Sequence, residues 1–147
     1  MDNNAEKKYT EEQYVEFETA KLLKSKGFED EYVNSYYDNK GNLKFIQLFG
    51  DLCDYNNEEE PTFDAPTQAL AMRWLREQHK LLITIGIGED YEGHFGFMPE
   101  IYSLDNPINE NGKYYPTVDP DIISNTTPQT YEQAAEDAIR FAAQYLI

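Results

Sequence analysis

From Thr67 to His79 the chain contains no helix breaker, and from Leu81 to Ile87 it is almost wholly apolar. A helix followed at once by a strand is therefore the best-defined part of the fold. Asp64 is placed to cap that helix, and Pro66 to occupy its first turn, where a missing N–H costs nothing. Leu70, Ala71, Trp74 and Leu75 share one helical face, while Arg73, Arg76 and Glu77 fall elsewhere. After the strand comes a Gly88-Glu89-Asp90-Tyr91-Glu92-Gly93 turn, then a return run from His94 to Leu104. Pro99 interrupts that run and marks it as an edge strand or a bulge.

The remaining elements are arranged around this unit. Thr10 with Gln13 has the form of a capping box, which predicts a first helix from Thr10 to about Lys26, with Gly27 as its left-handed stop. Runs over Tyr32–Tyr37 and Leu43–Phe49, joined by Asp38-Asn39-Lys40-Gly41-Asn42, predict a hairpin. The second run is apolar on both faces and reads as a central strand. The connection from Asp105 to Pro128 is too long to be structureless, so part of it should pack against the domain. Thr130 with Gln133 opens the last helix, whose Ala135, Ala138, Ile139, Ala142, Tyr145 and Leu146 follow helical spacing and include small residues suited to close packing on a sheet.

The order α-ββ-α-ββ-α gives an α+β fold: a four-stranded, mainly antiparallel sheet with helices packed largely on one face. Its 147 residues fit one domain, 1–147, with residues 1–9 as a flexible leader. Two successive helix-plus-hairpin units hint at an internal duplication, although residue identity between them is poor. The expected core is Phe17, Ala20, Leu23, Phe45, Leu48, Leu70, Trp74, Leu75, Ile83, Ile85, Ala138, Ile139 and Ala142.

Charge narrows the function classes. With 28 acidic and 12 basic residues the net charge is −16. Phosphate backbones and anionic lipid are repelled by such a chain, so neither nucleic acid nor a membrane surface is expected as a direct partner. No run approaches the roughly 18 apolar residues of a membrane span. The start, Met1-Asp2-Asn3-Asn4-Ala5-Glu6, lacks a secretory signal pattern. The single cysteine, Cys53, excludes an internal disulfide. A cytoplasmic setting is expected on both counts.

Signals for catalysis are weak. Cys53 lies between Asp51 and Asp54, which oppose thiolate formation. His79 sits at a helix end and His94 in a hairpin, with no spacing that forces either toward a metal, so both are read as structural. Gly86, Gly88 and Gly93 match no phosphate-binding loop and read as hairpin glycines. No EF-type calcium loop is present. Carboxylates at Asp51, Asp54, Glu58, Glu59, Glu60 and Asp64, or at Glu89, Asp90 and Glu92, would need partial burial to act as acid and base, and loops seldom supply it. No cofactor is expected and no catalytic residue is assigned.

Three segments carry a resemblance. They are Phe17-Glu18-Thr19-Ala20-Lys21-Leu22-Leu23 with Gly27-Phe28, then Ala65-Pro66-Thr67-Gln68-Ala69-Leu70-Ala71 with Trp74-Leu75-Arg76-Glu77, and the closing helix from Tyr131 to Ile147. Together they resemble an uncharacterised family of small acidic proteins from gut bacteria and their phages or mobile elements. The resemblance brings no catalytic residues. It implies a bacterial or phage setting only.

What remains is acid and tyrosine on loops. Such a surface suits contact with a basic protein, since rings supply area and carboxylates select charge. The expected site is the acidic loop, with Asp51, Asp54, Tyr55, Glu58, Glu59, Glu60 and Asp64 as protein-binding residues. The function this points to is a non-enzymatic binding module that docks a basic, nucleic-acid-handling protein, as a phage or mobile-element regulator or inhibitor would. The alternatives are a small metal-dependent hydrolase using the same loop, or a structural assembly module. Replacing Glu58, Glu59 and Glu60 together by Gln should leave the melting temperature unchanged or raised, because self-repulsion is relieved. It should also slow association with a basic partner. A marked loss of thermal stability would contradict the contact role of the loop.

Overall fold

The computed structural model describes residues 13–46, 60–90, 92–124 and 130–147. The chain is α+β with antiparallel sheets. In order, the elements are α1 (Phe17–Ser25), β1 (Ser35–Tyr37), β2 (Leu43–Phe45), β3 (Phe63–Asp64), α2 (Gln68–His79), β4 (Leu81–Glu89) and β5 (Phe95–Ser103). They continue with β6 (Ile108–Glu110), β7 (Lys113–Tyr115), α3 (Pro120–Ile123) and α4 (Tyr131–Phe141), which runs on into a π-helical turn over Ala142–Leu146.

The expected four-stranded sheet is not formed by the described residues. Three separate sheets take its place: β2-β1-β3, the hairpin β4-β5, and the hairpin β6-β7. The physical reason is that each hairpin meets different neighbours. β1 pairs on its second side with β3, and the segment after β3 turns away to begin α2. Among the described residues β2 is consequently an edge strand rather than a central one, and Phe45 is 57% exposed instead of in the core.

Two hairpin turns share one construction. In each, an aspartate (Asp38 or Asp90) accepts from the backbone N–H groups two and four residues on, all at 2.9 Å. Each closes with a glycine at positive φ, Gly41 at 85° and Gly93 at 83°, where a Cβ would be strained. Gly41 also lies under the Phe17 ring, 2.9 Å from where its Cβ would stand. The β6-β7 hairpin was not foreseen from sequence. It turns at Asn111-Gly112, both at positive φ, which is the strongest short hairpin signal a chain offers.

The helix starts explain where sequence and structure part. Thr67, not Asp64, caps α2, its side chain accepting from the Leu70 N–H. Asp64 is instead in β3, opposite Tyr36. Thr130 caps α4 through the Gln133 N–H, as expected. The helix that ends at Ser25 starts at Phe17, and residues 13–16 before it are not helical, so it does not run unbroken over the expected range. There the Val15 N–H donates to the Pro66 carbonyl and the Gln68 N–H to the Gln13 carbonyl. Tertiary pairing with the start of α2 displaces the local helical preference. Thr10, Leu48, Cys53 and the 1–9 leader lie outside the described residues.

The main core sits where α2 and α4 meet one face of the β4-β5 hairpin, with α1 packed against α4. Ala20, Leu23, Trp74, Leu75, Ile83, Ala138, Ile139 and Ala142 are buried there as expected, joined by Val15, Phe28, Leu81 and Ile101. Ile85 packs at the margin. Leu70 and Phe17 are half-buried, and the Phe17 ring packs with those of Tyr37 and Phe63. Five alanines of the last helix and its extension (Ala134, Ala135, Ala138, Ala142 and Ala143) are wholly buried, which lets the helix axis lie close against the hairpin. Among the described residues no helix is long and apolar enough to cross a membrane.

A buried carboxylate joins the three helices. Glu136 of α4 is 2% exposed. Its Oε1 accepts from the Glu16 N–H at the start of α1 (2.8 Å), and its Oε2 from Gln68 Nε2 at the start of α2 (3.2 Å). Arg140 lies 3.8 Å from it and also pairs with the Glu16 carboxylate and, through Nε, with Thr19. The nearby Tyr37 hydroxyl, pushed above its ordinary pKa by burial and then by Glu136 and Glu16, donates to the Val15 carbonyl. Glu136→Ala leaves buried donors without acceptors, at roughly 1–3 kcal/mol each. The melting temperature should fall by about 10 °C, with Glu136→Gln losing less. An alanine variant that melts with the parent would contradict this role.

Candidate functional site

The acidic loop expected to bind a partner falls only partly within the described residues. Asp51, Asp54, Tyr55, Glu58 and Glu59 lie outside the described residues. Glu60 is exposed in a bend, whereas Asp64 is half-buried in β3. A different surface emerges from β4 and β5.

These two nine-residue strands pair in register from Leu81↔Ser103 to Glu89↔Phe95. Because side chains alternate, Leu81, Ile83, Ile85 and Ile87 share one face with Ile101, Pro99, Phe97 and Phe95. Burial along that face is graded. Leu81, Ile83, Pro99 and Ile101 lie under the helices, whereas Ile87 is 81% and Phe95 74% exposed. Phe97 is half covered by Tyr131, ring centres 5.8 Å apart. The distal half of the hairpin therefore projects past the helices with its apolar side uncovered.

Three carboxylates, Glu89, Asp90 and Glu92, stand at the tip of that projection. Between Leu81 and Gly112 there are six acidic residues and no lysine or arginine. At the tip, Asp90 accepts from two backbone N–H groups and faces the His94 ring, Nδ1 at 2.9 Å. The His94 N–H first, then its ring and the Glu92 N–H, hold the Asp90 carboxyl below the usual carboxylate range. His94 thus braces the turn. His79, the other histidine, packs edge-on against Trp74, ring centres 4.6 Å apart.

The opposite face of the hairpin carries the glycines. Gly86, Gly88 and Gly96 lie there with Met98 and Glu100. A Cβ at Gly88 would stand 2.0 Å from Met98 Cγ, and one at Gly86 would stand 3.4 Å from Glu100 Oε1. Gly86 and Gly88 thus sit within the strand and leave room for side chains of β5 to lie across β4, while Gly93 alone serves the turn. Glu100 Oε2 accepts from Thr84 Oγ1 and from the Tyr102 hydroxyl, each at 3.0 Å. Burial, reinforced by that bond to Glu100, raises the Tyr102 pKa and keeps the phenol a donor.

The two long edges are treated differently. Leu104 N–H donates to the Lys80 carbonyl, and Asp90 N–H to the His94 carbonyl. Even-numbered residues of both strands therefore bond across the hairpin, and odd-numbered ones point their backbone groups outward. On β5, Thr117 satisfies Ile101 and Ser103, and Pro99 has no outward N–H to offer. Pro99 accordingly costs the ladder no bond. On β4, the outward groups belong to Leu81, Ile83, Ile85, Ile87 and Glu89, and no strand among the described residues pairs with them.

Elsewhere an open groove of about 580 Å³ runs between α3 and the end of α4, walled by Ile122, Ile123, Phe141 and Tyr145. Its guanidinium, Arg140, is engaged with Glu16 and Thr19. Among the described residues no group of three or more His, Cys, Asp or Glu side chains converges as a metal site. No family model, curated protein or solved structure matches the chain.

The hairpin surface is hidden in the sequence because net charge averages over neighbouring elements. Residues 66–104 total only −2, but all three of their bases, Arg73, Arg76 and Lys80, lie in or just after α2. The hairpin itself has none.

Proposed function

We propose that this chain is a non-enzymatic, acidic protein-binding module that docks a basic surface of the kind nucleic-acid-handling proteins present. Its resemblance to proteins of gut bacteria and their mobile elements adds the role of a cytoplasmic regulator or inhibitor carried by a phage or such an element. The observation that carries the reading is the distal β4-β5 hairpin. Exposed Ile87 and Phe95 stand beside Glu89, Asp90 and Glu92 in a stretch without lysine or arginine. Exposed apolar side chains supply the affinity of an interface, and surrounding charge supplies partner choice and association rate.

The choice of a basic partner follows from charge. An acidic or neutral partner would gain nothing from the carboxylate rim, and nucleic acid would be repelled by it. The expected Asp51–Asp64 loop adds to the same sign of field.

The test uses a purified basic DNA-binding protein as probe, with binding followed by interferometry. Affinity should fall steeply between about 0.05 and about 0.5 M NaCl, since exposed charges are screened over that range. Phe95→Ser should weaken binding by about tenfold or more, as loss of a central aromatic does, without shifting the melting temperature. Binding indifferent to both salt and Phe95 would contradict the reading.

A further inference from the structure

The outer edge of β4 is the least protected feature of the described chain. Natural edge strands are guarded by proline, lysine, a bulge or a covering loop. The β5 edge has two such guards, Pro99 and Thr117. On β4, Leu81–Glu89 contains no proline and no base and pairs one-to-one with β5 throughout, and among the described residues no strand pairs with its outer edge. Its distal part, Ile87 to Glu89, lies where the apolar face is uncovered, and Ile85 stands at the margin of the core.

Resting on the reading that this chain docks a basic protein, we propose that the outward edge of β4 takes up an extended basic segment of that partner as an added strand. Main-chain bonds would form to the outward N–H and C=O groups of Ile85, Ile87 and Glu89. Side chains of an added strand alternate, as those of β4 do. On one face they would stand beside Ile85 and Ile87, which calls for β-branched apolar residues. On the other face they would stand beside Gly86, and Glu100 lies across that glycine. Both donors to Glu100 go to Oε2, while Oε1 lies over Gly86 toward the β4 edge. A lysine or arginine at that position of the incoming strand meets a carboxylate that a larger residue at 86 would obstruct. The segment that fits is therefore one alternating basic with β-branched apolar residues.

Charge also decides against a second copy of this chain as the occupant. Two copies joined through β4 would bring together two sets of Glu89, Asp90, Glu92 and Glu100, with no lysine or arginine on either hairpin to offset them.

The probe is a hexapeptide alternating lysine and valine, titrated into the full chain and followed by backbone amide NMR. A second peptide is identical except that alternate amides are N-methylated, which removes the main-chain donors of one edge and keeps the charge. Saturable binding of the first that shifts Ile85, Ile87 and Glu89, with at least about tenfold weaker binding of the second, is the expected result. Ile87→Pro should abolish binding and leave the fold intact, because position 87, like Pro99, points its N–H away from the hairpin ladder. Ile87→Thr should retain most of it.

Equal binding of both peptides would overturn strand addition while leaving the charge-driven docking reading in place. No binding of the first peptide would overturn it as well, and the salt-sensitive association with the folded basic protein then judges the docking reading separately. Concentration-dependent dimerisation that excludes the peptide would assign the edge to a second copy and overturn the proposal.

Discussion

Glu136 is a carboxylate in a place that ordinarily excludes charge. Removing such a group from water is costly, and the site is tolerable only because each of its oxygens accepts a hydrogen bond and Arg140 stands nearby. The donors it engages are the N–H at the entry to α1 and the side chain that opens α2. A negative charge beside the N-terminus of α1 also complements the helix dipole. Through these contacts one residue of α4 sets where the other two helices begin. The extended stretch before α1 is then held against Pro66, α1 packs against α4, and α2 and α4 lie over β4 and β5. The hairpin projects because those two helices end where they do.

Local signals in the sequence were read correctly where one element decides its own boundary. Thr130 capped the last helix as expected, Gly27 took its left-handed conformation, and both Asp-x-x-Gly turns closed their hairpins. Errors arose where two plausible local choices compete through distant contacts. Asp64 and Thr67 are both good caps, and the pairing of residues 63–64 with β1 is what leaves the role to Thr67. Gln13 belongs to a capping-box pattern, yet its carbonyl serves the α2 N-terminus instead. Whether two hairpins share one sheet is likewise a nonlocal question, and periodicity does not answer it.

The candidate surface was harder to read for a different reason. Hydrophobic alternation marks the face of a strand that seeks cover, without saying how much cover the rest of the fold provides. Ile83 and Ile87 look alike in sequence, but one lies beneath the helices and the other is in solvent. Pro99 marks its run as an edge strand in sequence, and in the structure it guards that edge. The contrast between that edge and the unguarded edge of β4 is visible only once register shows which backbone groups point outward. Among the described residues one edge of the hairpin is protected, and the other is left unpaired beside apolar and acidic side chains.

Amide hydrogen exchange in the free protein tests this asymmetry most directly. The Thr84 and Gly86 amides, bonded to β5, should exchange slowly, while those of Ile85 and Ile87, pointing outward, should exchange at least ~100-fold faster. Uniform protection along β4 would show that the edge is already occupied and would contradict the account.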